Sequence, residues 1–218
     1  MNQPAFLCSL PVHTLYQRPT MLKLLLFLLF FLSGFHQTIK KPYLAKWVIT
    51  KGCSLKVVGS TNVNQFSCVI ADYYKPDTLT FYKDAVAEPT RITGTLKLEV
   101  QNFDCLNPVM TANLRNTLKA KENPYLIIKF INLSRYPANY TQNGGLKGVV
   151  SIQLAGVTKR YEVDYRFIPN GAKALTLVGT RQVNFSDFDI IPPRKIGGMI
   201  QTRNELDVQF SLKAKILY

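Results

Sequence analysis

Apolar and polar residues alternate along much of this chain, most regularly in Arg91–Val100 and from Leu206 to Ile216. In the second stretch every even-numbered residue is apolar and every odd-numbered residue is polar. A β-strand points successive side chains to opposite faces, so this alternation predicts strands with one apolar and one polar face. Less regular alternation predicts seven further strands at Ser54–Val58, Phe66–Tyr73, Thr78–Lys83, Tyr125–Ile131, Lys147–Leu154, Lys159–Phe167 and Ala174–Val183.

Residues that favour turns separate these runs. Glycine and asparagine tolerate positive φ, and proline presets the backbone of a turn. Such residues occur at Lys75-Pro76-Asp77, Asn143-Gly144-Gly145, Ala155-Gly156 and Pro169-Asn170-Gly171.

One segment has helical spacing instead. Pro108 suits the first turn of a helix, and Met110, Leu114 and Leu118 follow at intervals of four residues. We expect a helix that ends before Asn123-Pro124 and packs on the sheet as a lid or buttress. The stretch Ser186–Ile200 is too rich in proline and glycine for a regular element, so it predicts a loop with a short helical turn across one end of the sheet.

The predicted strands form a single domain without an internal linker. About eight to ten antiparallel strands leave two open sheet edges, and closure into a barrel removes both. The fold class is therefore predicted to be all-β, an antiparallel barrel of about eight strands with one or two short helices. A barrel of this size is either filled by its own side chains or holds one small ligand.

The N-terminal region has a different character. Leu24–Leu32 is an unbroken apolar run, with Lys23 before it and Ser33-Gly34 after it. It is shorter than the about 20 residues that span a bilayer and fits the apolar core of a signal peptide, although a buried helix is the alternative. Translation is expected to start at Met21, which would place residues 1–20 upstream of the natural start. We expect residues 1–37 to be a signal peptide and residues 38–218 to form the barrel, in the periplasm or secreted.

The distribution of histidine excludes catalysis by Ser-His-Asp, Cys-His and His-ligated zinc sites in the mature domain. The chain contains only His13 and His36, both within the predicted signal peptide. The mature domain therefore lacks the usual general base and the commonest metal ligand. Catalysis by carboxylates alone, as in glycoside hydrolysis, stays open without histidine, and no motif supports it. We expect no enzymatic activity, no metal site and no cofactor other than a bound apolar molecule.

Three cysteines remain in the mature chain, Cys53, Cys68 and Cys105. An oxidising compartment permits one bridge, and three pairings are open. Cys68 and Cys105 both follow a Phe-x pair near the end of an alternating run. We therefore predict a Cys68–Cys105 disulfide that leaves Cys53 unpaired.

The chain is strongly basic, with 27 Lys and Arg against 13 Asp and Glu. Removal of residues 1–37 leaves a formal charge of +12. The basic residues are scattered, whereas nucleic-acid binding predicts a concentrated stripe with aromatic stacking positions. We therefore expect no nucleic-acid partner, a solvated basic exterior, and peripheral contact with anionic membrane surfaces. The sequence indicates no particular oligomeric state.

Several short motifs follow one another over roughly residues 45–217. They are Trp47–Ile49, Val58–Val63, Gly94–Val100, the helix ending near Asn123-Pro124, Leu154–Lys159 and Phe185–Pro192. In kind and in order, these motifs resemble those of the YceI-like family. A cysteine-bearing subgroup of that family is indicated by Phe66-Ser67-Cys68 and Phe103-Asp104-Cys105.

This resemblance implies a lipocalin-like barrel in the periplasm that holds a polyisoprenoid or an isoprenoid quinone, as carrier or scavenger. It implies no catalytic residues. The alternative is a structural or interaction barrel with a filled core. The apolar residues predicted to line the binding tunnel are Leu96, Leu98, Val100, Ile128, Phe130, Ile152, Leu154, Leu177, Val208, Phe210 and Leu212.

Overall fold

The computed structural model describes residues 43–73, 75–83, 89–137 and 145–217. The predicted signal peptide, residues 1–37, lies outside the described residues. The described strands are β1 (Tyr43–Ile49), β2 (Cys53–Thr61), β3 (Gln65–Tyr73), β4 (Thr78–Lys83), β5 (Thr90–Glu99), β6 (Tyr125–Leu133), β7 (Leu146–Leu154), β8 (Val157–Pro169), β9 (Ala174–Asn184), β10 (Arg194–Lys195) and β11 (Ile200–Leu217). The described helices are α1 (Pro108–Thr117) and short 3-10 helices at Val100–Asn102, Phe185–Phe188 and Ile196–Gly198.

The strands form a closed antiparallel barrel. In the ring β1 is followed by β4, β5, β6, β7, β8, β9 and β11, and β11 pairs back with β1. Every pairing is antiparallel. The predicted all-β barrel of about eight strands is therefore confirmed.

The barrel is extended at one end by β2 and β3. β1 and β2 lie one after the other along the same edge of β11, which pairs Ala214 with Ile49 and Ser211 with Ser54. Gly52 allows the bend between them, because its φ of 81° is unfavourable for residues with a Cβ. β3 pairs with β2 as β4 pairs with β1. The β2–β3 pair therefore continues the β1–β4 pair along the barrel, and the barrel is longer on this side.

Burial along β11 follows the predicted alternation. The side chains of Leu206, Phe210 and Leu212 are buried, whereas those of Gln209 and Lys213 are exposed. Burying an aliphatic or aromatic side chain contributes about 1.5–3 kcal/mol. One face of β11 therefore contributes to the core, which lies inside the barrel.

Aromatic side chains fill the end of the barrel formed by β1, β4 and the last residues of β11. Trp47 is fully buried, and its ring centroid lies 4.2 Å from that of Phe81 and 5.8 Å from that of Phe167. Tyr136 packs edge-on against Phe81 at 5.9 Å. We call this region the closed end.

The opposite end is covered by α1 and the Phe185–Phe188 helix, and we call it the capped end. The side chain of Asn107 caps α1 by accepting a hydrogen bond from the Met110 amide at 3.0 Å. Leu114 and Leu118 are buried against the barrel, which confirms the predicted helix and its packing. In the described part of the chain, no helix has both the length and the apolar content that crossing a bilayer requires.

A disulfide fixes the segment that leads into α1. Cys68 of β3 is bonded to Cys105, and their Cα atoms are 4.0 Å apart. Beside it, the amide of Val69 donates to the Asp104 carbonyl at 2.8 Å, and the Asp104 amide donates back at 2.9 Å. The predicted pairing is confirmed, and Cys53 is unpaired as predicted, with its side chain buried.

Candidate functional site

An aromatic layer crosses the middle of the barrel. Phe210 of β11 packs edge-on against Phe130 of β6 at 6.0 Å and against Tyr165 of β8 at 5.9 Å. The ring of Phe210 fits because Gly179 faces it. A Cβ at that position would lie 2.2 Å from Phe210 Cζ. The layer separates the closed end from the capped end.

A cavity of about 60 Å³ lies on the capped side of this layer. It is bounded by inward-facing strand residues, by the buried face of α1, and by Phe188 of the following 3-10 helix. Every lining residue is apolar. They are Leu55, Val57, Phe103, Leu114, Leu118, Leu126, Ile128, Ile152, Leu154, Val183, Phe188, Leu206 and Val208.

All eleven residues predicted to line a tunnel belong to the apolar interior or pack against it. Four of them line the cavity, namely Ile128, Ile152, Leu154 and Val208. Phe130 and Phe210 form part of the aromatic layer, and Leu177 pairs with Leu212 on its closed side. Leu96, Leu98 and Val100 are buried on the capped side without lining the cavity.

Other lining residues were not foreseen as site residues. Leu114 and Leu118 had a detectable signal, since they form the apolar face of the predicted helix. Phe103 and Phe188 lie outside the regular strands, where no periodic pattern marks the inward side.

An open groove of about 350 Å³ adjoins the cavity on the outside of the capped end. It runs between α1 and the segment from Pro193 to Thr202, and Phe66 and Cys68 lie in its wall. Leu114 lines both spaces, so the groove and the cavity meet at this residue of α1. Among the described residues that line the groove, Lys195 alone carries a charge.

Few polar groups reach the interior near the cavity. The hydroxyl of Tyr165 is buried without a hydrogen-bond partner, and this burial raises its pKa. The hydroxyl of Tyr161 donates to Asp187 Oδ2 at 2.8 Å. Partial burial raises the pKa of Asp187, but hydrogen bonds from Tyr161 and Asn184 outweigh it and hold the pKa below its ordinary value. Together these bonds fasten the Phe185–Phe188 helix over the cavity.

The free thiol of Cys53 lies outside the cavity. Its Sγ donates to the Thr50 carbonyl at 3.0 Å and accepts from the Lys213 amide at 3.2 Å. Burial raises the pKa of this thiol, which favours the less reactive protonated form. Among the described residues, no group of three or more His, Cys, Asp or Glu is placed to hold a metal ion. The apolar cavity at the capped end is suited to enclosing an apolar molecule.

No protein-family model and no curated protein matches the sequence. Among solved structures, BcnA of Burkholderia cenocepacia matches with a TM-score of 0.54 and 16% identity, over 76% of this chain and 96% of that chain. A polyisoprenoid binding domain from Saccharophagus degradans, implicated in plant cell wall breakdown, matches with a TM-score of 0.54 and 10% identity, over 78% and 97% of the two chains. The chain therefore has the same barrel fold as these two proteins, which confirms the fold that its resemblance to the YceI-like family implies.

Proposed function

We propose that this protein is an exported binding protein that holds an isoprenoid chain, either a polyisoprenoid or an isoprenoid quinone, as a carrier or scavenger. It is proposed to act without catalysis and without another cofactor. The observation that carries the proposal is the wholly apolar cavity beneath α1, which shares the lining residue Leu114 with a mainly apolar outer groove. The polyisoprenoid binding domain from Saccharophagus degradans has the same fold, which supports this choice of ligand.

The size of the cavity indicates how a ligand would enter. A cavity of about 60 Å³ is smaller than the roughly 150 Å³ that accommodates benzene in a protein core. An isoprenoid chain therefore requires Leu114, Leu118 and Phe188 to move outward, which would join the cavity to the groove. Burial of the chain would contribute about 25 cal/mol per Å² of apolar surface, before the costs of binding.

The second candidate is an interaction barrel whose interior is filled by its own side chains. The small volume of the cavity favours this candidate, and so does the dense aromatic packing of the closed end. The two candidates differ in one measurable respect. Only the binding protein predicts that a larger side chain in the cavity takes the space of the isoprenoid chain and weakens its binding.

Substitution of Val208, which lines the cavity, separates the candidates. Val208→Phe fills the space beneath α1. It should leave the free energy of unfolding within about 1 kcal/mol of the parent protein, and weaken binding of an isoprenoid quinone at least tenfold, or by about 1.4 kcal/mol. Denaturant unfolding and a fluorescence titration with the quinone measure the two effects.

Val58→Phe is the matched control. Val58 lies on the outer face of β2, beside Lys56 and Asp207, so the same change should affect neither stability nor quinone binding.

Organic extracts of protein purified from its native host should contain an isoprenoid by mass spectrometry. A parent protein that carries no lipid and binds no quinone, together with a loss of about 1–3 kcal/mol from Val208→Phe, would establish the filled barrel instead.

The basic exterior suggests how the protein would reach a ligand that resides in membranes. With a formal charge of +12 after removal of residues 1–37, we propose peripheral contact with anionic lipid surfaces.

A further inference from the structure

Exposed apolar side chains are concentrated at the capped end. Nine large hydrophobic residues among those described are exposed, and six of them lie on loops and at helix starts around the groove. Their side chains are between 64 and 93% exposed. The remaining three, Tyr82, Ile168 and Leu217, lie on strands toward the closed end. We call the six the apolar rim, which consists of Val63, Leu106, Val109, Ile191, Ile196 and Met199.

Two residues of the rim have backbone conformations that do not suit them. Leu106 has φ of 58° and Ile196 has φ of 52°, in the left-handed region where asparagine and glycine are favoured. Ile196 is also β-branched, which makes this conformation more costly. Neither local conformation nor burial favours an apolar residue at either position. A partner that removes these side chains from water would account for the apolar residues at both positions.

The basic residues beside the groove suit an anionic partner, and the two exposed acids nearest to the rim along the chain, Asp104 and Asp189, do not line the groove. Lys195 lines the groove, and Arg194 precedes it, with both side chains exposed. The described residues lining the groove include no carboxylate. Apolar side chains on loop tips with basic residues beside them can enter the interfacial region of a bilayer while the cations meet lipid head groups.

We infer that the capped end docks on an anionic lipid bilayer, with the apolar rim inserted among the head groups and Arg194 and Lys195 against anionic lipid. In this orientation the groove opens toward the acyl chains, so an apolar ligand passes between bilayer and barrel without crossing water. The inference deepens the proposed function, because it names the surface through which that ligand would be collected.

Hydrogen exchange of the full chain with and without vesicles locates the docking surface. On vesicles of phosphatidylcholine and phosphatidylglycerol, backbone amides of residues 61–65, 104–110 and 190–200 should exchange more slowly. Amides around Ile168 should be unchanged. Vesicles of phosphatidylcholine alone should give weaker protection, and added salt should reduce the effect because it screens the charges. Protection that is absent at the rim, or equal at both ends, overturns the inference.

A double variant tests the apolar contribution. Leu106→Asn with Ile196→Asn should bind these vesicles about tenfold more weakly, since two apolar side chains no longer enter the interface. Its melting temperature should be equal or higher, because asparagine tolerates both φ values. Ile168→Asn is the control and should leave vesicle binding unchanged. Vesicle binding by the double variant equal to that of the parent overturns the inference.

The charges are tested by a second double variant, Arg194→Gln with Lys195→Gln, at two exposed positions. It should lose the preference for phosphatidylglycerol and keep the parent's stability, and a preference that persists contradicts the proposed orientation.

Quinone titration without vesicles distinguishes the docking proposal from the ligand proposal. Quinone binding without rim protection refutes docking alone, and rim protection without quinone binding refutes the proposed ligand alone.

Discussion

Two tyrosines on β8 show how the surroundings of one hydroxyl group decide its effect on stability. Tyr161 donates its hydroxyl hydrogen bond to Asp187, whereas the hydroxyl of Tyr165 is buried without a partner. A buried hydroxyl without a hydrogen bond costs about 1–3 kcal/mol. Tyr165 is nevertheless part of the aromatic layer, so its ring contributes packing that offsets this cost.

Opposite effects on stability are therefore expected from removing these two hydroxyls. Tyr165→Phe keeps the ring and removes the unpartnered group, so the free energy of unfolding should rise by about 1 kcal/mol. Tyr161→Phe should lower it by about 1 kcal/mol, because Asp187 loses a hydrogen bond that fastens the capping 3-10 helix. Urea denaturation measures both variants, and a destabilised Tyr165→Phe would show that this hydroxyl has a partner in solution.

At the scale of elements, the disulfide holds the capped end together. It joins β3 to the segment that leads into α1, and the two cysteines are 37 residues apart. The hydrogen bond from Arg115 Nη2 to the Phe103 carbonyl, at 2.9 Å, provides a second link between α1 and this segment. The position of α1 over the cavity therefore depends on a few tethers in addition to the packing of Leu114 and Leu118.

Removal of the bridge is expected to weaken the fold and loosen α1. Cys68→Ala with Cys105→Ala should lower the free energy of unfolding by about 2–4 kcal/mol, as is usual for a loop of this length. Amides of α1 should also exchange faster. Reduced parent protein should resemble the variant, and reductant should not alter the variant further. An unchanged unfolding midpoint would contradict the tethering role of the disulfide.

The elements themselves were largely predictable from sequence, for a local reason. Alternation along β11 reports which side of a strand is apolar, and that side faces the interior. Asn107 and Pro108 mark the start of α1 in a similarly local way, because Asn107 caps the helix and Pro108 is its first residue. The inward positions of Phe103 and Phe188 were not predictable, because both depend on how non-strand segments fold over the end of the barrel.

At the scale of the molecule, the division of the interior could not be read from the strands. Alternation gave Phe210 an inward direction, but it did not show that Gly179, 31 residues earlier, leaves room for its ring. That complementarity creates the aromatic layer, and the cavity lies on its capped side. The empty space inside a barrel depends on which residues face each other on neighbouring strands. The direction in which a side chain points depends on its own strand alone.

The proposed export also concerns the whole chain. Because Leu24–Leu32 resembles the apolar core of a signal peptide, the exported protein should lack at least residues 1–34. Intact-mass analysis of protein recovered from the periplasm or the medium checks this. A recovered protein that retains residues 21–32 would show that the apolar run is not removed.

The antiparallel pairing of β1 with β11 has a kinetic consequence. It places Trp47 opposite Ile216, so residues that are far apart along the chain must meet before the ring is complete. Contacts of such long sequence separation are slow to form, since a large loop loses entropy before they stabilise the chain. Until β11 is in place, β1, β2 and β9 each expose a row of unpaired backbone groups, and such edges pair readily with other chains. Ring closure is thus expected to limit the rate of folding, and the unclosed sheet is the state most exposed to aggregation.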